Sequence, residues 1–200
     1  MTGCSLSAEE YREAAIDIKE QAQRMSKMIS ELLAMSRLDK GTQKINTESV
    51  NLSELCEMVC SDQEIINDEE IPLLRNIQPD IFIDTDRDLA MRIFINLISN
   101  AYKYASDGKS IDVSLYETGS SVIFSVRDYG RGIKDDNLEK IWDRFYREDY
   151  ARTKHDTSST GLGLSMVREI CDLLGASADV ESKFGEGSCF TVTFSRDAEL

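Results

Sequence analysis

A single histidine, His155, among 200 residues leaves little of the side chain most used for metal ligation and proton transfer. The cysteines, Cys4, Cys56, Cys60, Cys171 and Cys189, form no zinc-type short pair. Cys56 and Cys60 stand four apart on an expected helix, but the further ligands a metal needs are missing, so plain packing is the reading. An odd set of thiols without a disulfide framework points to a reduced, cytoplasmic chain. Positive charge is scarce too: 23 Lys and Arg face 37 Asp and Glu, a net charge of −14. Such a surface repels nucleic acid and anionic membranes. Any bound phosphate must be met locally, by helix ends, backbone amides, a few cations or a metal. No apolar run is long enough to span a bilayer, Met1 to Leu6 lack signal-peptide character, and there are no repeats or low-complexity tracts. What remains is the composition of a soluble globular chain, 41% hydrophobic and 30% charged, enough for one substantial core and a smaller appended element.

Ser7 and Glu10 make a capping box that opens a helical pattern reaching about Leu38 and ending near Gly41. Along it Tyr11, Ala15, Ile18, Ala22, Met25, Ile29 and Leu32 recur by fours and threes, the spacing of a bundle seam. One helix cannot bury such a seam alone. A partner helix, or docking on the chain's own core, must cover it. Residues 41–48 are a polar connector, and Asn51 with Glu54 caps a second helix through about Ile66. Short strands are expected at 71–77 and 81–83, and Asp86 leads into a helix carrying Ile93, Asn96, Leu97 and Asn100. A hairpin follows at 110–117 and 121–128. Residues 147–160 lack hydrophobic periodicity and read as a mobile loop. A helix at 161–174 and strands at 177–183 and 188–194 close the chain. Helices and strands mix without regular alternation, which fits a two-layer α/β sandwich better than a doubly wound sheet.

Three segments carry chemistry. Asn96 and Asn100 share a helix face one turn apart; an amide oxygen is a hard, neutral ligand suited to magnesium, and Lys103 beside that face can meet phosphate as a point charge. Taken alone, these asparagines could equally face solvent or cap the helix. Asp128, Tyr129, Gly130, Arg131, Gly132 and Ile133 follow an apolar strand, where a carboxylate can accept from a base amino group while glycines permit close approach. An ordinary turn has the same look. Thr160, Gly161, Leu162, Gly163 and Leu164 open a helix whose free amides suit a polyphosphate.

Together, in this order and spacing, these segments resemble the histidine kinase family of the ATPase superfamily shared with gyrase, the Hsp90 chaperones and the MutL proteins. The N box is NLISNAYKYA, the first glycine box DYGRGI, the F box IWDRFYR and the second glycine box TGLGLSMVREI. VESKFGEGSCFTVTF is similar to the family's closing hairpin, and EQAQRMSKMISELLAMSRLDKG to the second helix of its dimerisation hairpin. The resemblance implies a Bergerat-type ATP-binding sandwich, a mixed sheet with helices on one face, preceded by one long helix. It divides the chain into a partial dimerisation region, 1–46, and an ATP-binding catalytic domain, 47–200. ATP and Mg2+ are the implied cofactors. Asn100 is then the magnesium ligand, Asn96 lies beside the phosphates, Lys103 contacts phosphate, Tyr104 packs near adenine and Asp128 reads the adenine amino group. Gly130, Gly132 and Ile133 shape the base pocket. Thr160, Gly161, Leu162, Gly163 and Leu164 border the triphosphate under a lid spanning 147–160, which Phe145 anchors, with Arg147 or Arg152 neutralising phosphate.

The family's acceptor histidine stands in an H box on the first hairpin helix, with an acidic neighbour and a following proline. These residues contain no such box. His155, between Lys154 and Asp156, reads as a solvated loop residue. Ser158 and Ser159 replace glycines often found before TGLGL, which stiffens the lid hinge. The expectation is therefore a fragment starting after the H box. It binds ATP and donates the γ-phosphoryl group to a histidine outside this chain, without autophosphorylating. Implied partners are the histidine-bearing hairpin helix, a second copy in a homodimer and a response regulator, with no nucleic acid; membrane anchoring is implied for the full-length protein. A degenerate module that binds nucleotide or dimerises without transfer is the alternative on the same motifs, and a chaperone- or gyrase-type ATPase is a third.

Overall fold

The computed structural model describes residues 7–39, 44–67, 71–105, 109–147 and 160–196. Helix α1 (Ala8–Asp39) starts one residue after Ser7, whose carbonyl accepts from Tyr11 N–H. Strand β1 (Thr47–Asn51) and strand β3 (Phe82–Asp86) form a separate antiparallel pair, with Val50 opposite Ile83. Between them run α2 (Leu52–Ile66) and β2 (Leu73–Ile77). The Asn51 side chain starts α2 by accepting from Ser53 and Glu54 N–H at 3.1 and 3.2 Å. Buried Ser53 then pins the helix start: its hydroxyl donates to Gln78 O at 2.7 Å and accepts from Ile81 N–H at 3.0 Å.

Asp86 caps α3 (Arg87–Tyr104) in the same way, accepting from Asp88 and Leu89 N–H, while its other oxygen accepts from Asn46 N–H at 2.9 Å. One carboxylate thus joins β1's approach to the start of α3. The hairpin β4 (Ile111–Thr118) and β5 (Ser121–Asp128) turns at Gly119, and α4 (Gly163–Leu173) is followed by β6 (Ser177–Lys183) and β7 (Gly187–Ser195). Two short 3-10 turns, Asp135–Asn137 and Lys140–Trp142, lie between β5 and α4.

The main sheet runs β2-β4-β5-β7-β6, parallel only between β2 and β4. Alternation along the strands turns Ile111, Val113, Leu115, Val122, Phe124, Val126, Phe190, Val192 and Phe194 inward. Helices α2, α3 and α4 cover that face, giving the expected two-layer sandwich. Phe94 of α3 fills the centre, its ring 4.2 Å from Phe124 and 6.5 Å edge-on from Phe194 between centroids. Truncating so enclosed a ring costs about 3–5 kcal/mol. At the β2 edge, Arg75 pairs with Glu57 at 2.7 Å and with Glu64, tying the strand to α2.

The structure adds β1 where the sequence suggests only a polar connector leading into a capped helix. It also divides the seam question on α1. Met35 is 2% exposed, with Ala34 and Leu38 packed on the core, so the last turns dock on this chain. Tyr11, Ile18, Met25, Ile29 and Leu32 stay exposed.

Candidate functional site

A cavity of about 520 Å³ opens between the C-terminal half of α3, the loop after β5 and the start of α4. Asn96, Asn100, Lys103 and Tyr104 line it from α3, Asp128, Gly132 and Ile133 from the first glycine box, and Thr160, Gly161, Gly163 and Leu164 from the second. Arg147 completes the set.

At one end stands Asp128, buried at the last residue of β5. Its Oδ1 accepts from Gly130 N–H at 2.9 Å. Burial raises its carboxyl above the ordinary 3.8, against the opposing pull of backbone bonds from Gly130 and Ser188. Ile133, Ile141, Leu164 and Phe190 are among the apolar residues that line the cavity. A buried acceptor in a cavity with apolar lining suits a planar ring bearing an amino group.

At the other end the N box and the second glycine box meet. Asn96 Nδ2 donates to Arg92 O at 2.8 Å, and its Oδ1 lies 3.0 Å from the point a Cβ on Gly163 would occupy. The absent side chain at Gly163 lets α3 approach the first turn of α4. Lys103 Nζ donates to Tyr104 hydroxyl at 2.7 Å, and the Arg131 guanidinium lies 5.3 Å from the same ring. Two cations therefore gather on Tyr104 in a chain of strongly negative charge.

Three expected residues, Gly130, Leu162 and Phe145, do not line the cavity. Gly130 is packed beneath it: a Cβ there would stand 1.8 Å from Tyr104 O. Gly132, with φ +67°, has the same relation to Lys183 O at 2.1 Å. The clearance these glycines provide is filled by the chain's own backbone. Leu162 is fully buried. Phe145 holds φ +64° and is 55% exposed, its side chain outside the cavity. Its N–H donates to Gly161 O at 2.9 Å, so the main chain, rather than the ring, joins the two ends of the expected lid. Residues 148–159, including Arg152, His155, Ser158 and Ser159, lie outside the described residues.

The cavity also takes residues that the motifs did not suggest, among them Glu31, Gln63, Arg131, Ile141, Tyr146 and Phe190. Glu31 comes from α1 and accepts from Thr160 Oγ1 at 2.5 Å across 129 positions. The only signal for it in the sequence is a second stripe on the helix, Glu31, Ala34, Met35 and Leu38, beside the bundle seam. The described cysteines, Cys56, Cys60, Cys171 and Cys189, do not line the cavity. Cys56 is pushed up by its hydrogen bond to Cys60 and by burial, and burial raises Cys171 to about 12. Such thiols are inert packing groups.

Residues 85–198 match the family described as histidine kinase-, DNA gyrase B-, and HSP90-like ATPase. The chain belongs to this family. It is 32% identical over 178 residues to the sensor histidine kinase WalK of Bacillus subtilis, covering 86% of this chain and 29% of the relative. To the sensor protein SrrB of Staphylococcus aureus it is 29% identical over 191 residues, covering 95% and 33% respectively. The chain thus spans about a third of the length of these curated relatives. Among solved structures, full-length ShkA in complex with AMPPNP superposes with a TM-score of 0.79 at 23% identity, over 98% of this chain and 41% of that one. That likeness is one of fold. The range matched to the ATPase family holds every cavity residue expected from the motifs, whereas Glu31 and Gln63 lie before it. Among the described residues no helix is long and apolar enough to cross a membrane.

Proposed function

We propose that this chain is the catalytic part of a sensor histidine kinase, binding Mg–ATP in the cavity and donating the γ-phosphoryl group to a histidine on another helix. The observation that carries the reading is a single cavity with a buried carboxylate, Asp128, at one end and, at the other, the Asn96 face of α3 against the opening turn of α4. Adenine and polyphosphate need these two environments at opposite ends of one site. In this reading Asp128 accepts from the adenine amino group, Ile133 and Tyr104 flank the base, and Gly132 holds the loop. Thr160, Gly161, Gly163 and Leu164 border the phosphates, with Lys103 and Arg147 supplying charge. Leu162 and Gly130 act from behind, by packing.

A magnesium ion fits the donors available. The Asn100 amide makes no hydrogen bond to a described residue, and the described residues hold no cluster of three or more His, Cys, Asp or Glu side chains that could bind a metal alone. Mg2+ keeps several waters and takes phosphate oxygens with one or two protein ligands, so Asn100 suffices as its protein contact. The ion would neutralise phosphate charge. The chain's own residues hold the nucleotide in line while a histidine nitrogen attacks the γ phosphorus and the bond to the bridging oxygen breaks, ADP leaving.

The helix–catalytic division at residue 46, a homodimer through the seam of α1, a response regulator as onward acceptor, and membrane anchoring of a longer protein belong to the same proposal. The test is incubation with γ-labelled ATP and a separate hairpin carrying the acceptor histidine. Labelled hairpin is the expected product. Nucleotide binding without any label transfer would reduce the chain to a nucleotide-sensing module.

A further inference from the structure

Thr160 hydroxyl links two groups that come from opposite ends of the chain. It donates to Glu31 Oε2 at 2.5 Å and accepts from Leu162 N–H at 3.3 Å. The Glu31 carboxylate is thereby held, through the Thr160 hydroxyl, next to the start of α4, whose N-cap, Leu162, has no side-chain acceptor to offer. A helix N-terminus carries partial positive charge and unpaired N–H groups, and an anion of either source satisfies them. Glu31 reaches this point because the next turn of α1 is docked: Met35 is buried, and Ala34 and Leu38 pack on the core. The same Glu31 lines the cavity together with Asn96, Arg147, Gly161 and Gly163.

Resting on the nucleotide reading above, we propose that Glu31 is a specificity residue, a tethered carboxylate that competes with the terminal phosphate at the start of α4. While α1 is docked, the carboxylate disfavours nucleotides in proportion to the phosphate charge brought near it. Adenosine does not meet it. ADP meets it less than ATP. Coupling between two sites is reciprocal, so if docking of α1 weakens ATP binding, ATP loosens the docking of α1 by the same factor. Neither a new contact nor a second ligand is needed, only one position for two anions.

The test uses the whole 200-residue chain and Glu31→Gln, which keeps an oxygen acceptor for Thr160 and removes the charge. Calorimetric titration with ATP, ADP and adenosine is expected to give about fivefold tighter ATP binding in the variant, a smaller gain for ADP and none for adenosine. In the wild type, ATP is expected to speed hydrogen exchange of the amides at 33–38. Unchanged or weaker ATP binding in Glu31→Gln, an equal gain for adenosine, or exchange indifferent to ATP would each overturn the proposal. A wild-type chain that binds neither ATP nor adenosine would instead overturn the nucleotide reading itself.

Discussion

Asp128 is 3% exposed, and desolvation lifts its carboxyl above the ordinary 3.8 despite the amides that hold it. Between 3.8 and that raised value the folded chain keeps a proton that the unfolded chain has released. This group therefore adds stability as pH falls through the raised value, and above it the ionised carboxylate is a net cost to the fold. Its use must lie elsewhere, in binding. Protonation removes the charged acceptor, so affinity for adenine nucleotides is expected to fall over the same interval in which the apo protein gains from this group. Asp128→Asn should weaken neutral-pH affinity by about 1.5–3 kcal/mol and abolish that acid limb, as calorimetry across pH would measure. The same acid dependence in the variant would move the titration to another group. Asn100 presents the opposite case, a half-buried amide that makes no hydrogen bond to a described residue. Asn100→Ala should leave stability within about 0.5 kcal/mol while removing magnesium-dependent ATP binding. Unaltered affinity with magnesium present would refute Asn100 as the ligand.

Elements in this fold meet through glycines whose neighbours are far away in sequence. Gly130 lies under Tyr104 O and Gly132 against Lys183 O, each too close for a Cβ. Gly130→Ala and Gly132→Ala are expected to lose about 2–4 kcal/mol in urea unfolding, since backbone on both sides must shift. Gly119→Ala meets nothing within 4 Å and has only its φ of +58° to strain, so about 1 kcal/mol is expected there. Losses at Gly130 and Gly132 no larger than the loss at Gly119 would show that crowding does not select glycine there. The same distinction separates what was legible in the sequence from what was not. Asn51 and Asp86 announced their helices because a cap and the amides it accepts from lie within three residues. The N box and both glycine boxes were legible as neighbours of one site. What Gly130 avoids was not, because the obstacle is carried by α3. Strand β1 was illegible for a similar reason: it buries Val50 alone and exists because β3 pairs with it. Nor could the parallel pairing of β2 with β4 be read, since no turn connects them.

At the scale of the molecule, α1 is two things at once. Its 32 residues run roughly 48 Å at 1.5 Å per residue, and its last turns dock on the sandwich through Ala34, Met35 and Leu38. The docking stripe is hidden in the sequence because the bundle seam beside it has the stronger period. That seam is open: Ile18 is 69% and Met25 64% exposed. A helix extending from its fold without a covered face is marginal in water, and its apolar stripe gains by association. Sedimentation is therefore expected to show concentration-dependent self-association of this chain, lost in a Met25→Lys, Ile29→Lys double variant. Neither residue lines the nucleotide cavity, so ATP affinity of the double variant measured at dilute, monomeric concentration should match that of the parent. Met35→Ala acts from the other stripe. Removing a buried Met side chain costs about 2–5 kcal/mol where it packs, so α1 should undock, its amides near 33–38 exchanging faster. Undocking withdraws Glu31 from Thr160, and ATP should then bind more tightly while self-association persists. The two variants separate the faces of one helix: the seam governs how many chains meet, the docking stripe how readily each takes nucleotide. If Met35→Ala abolished association and the seam variant altered ATP affinity, the two stripes would be one coupled surface, and α1 could not dock and pair independently.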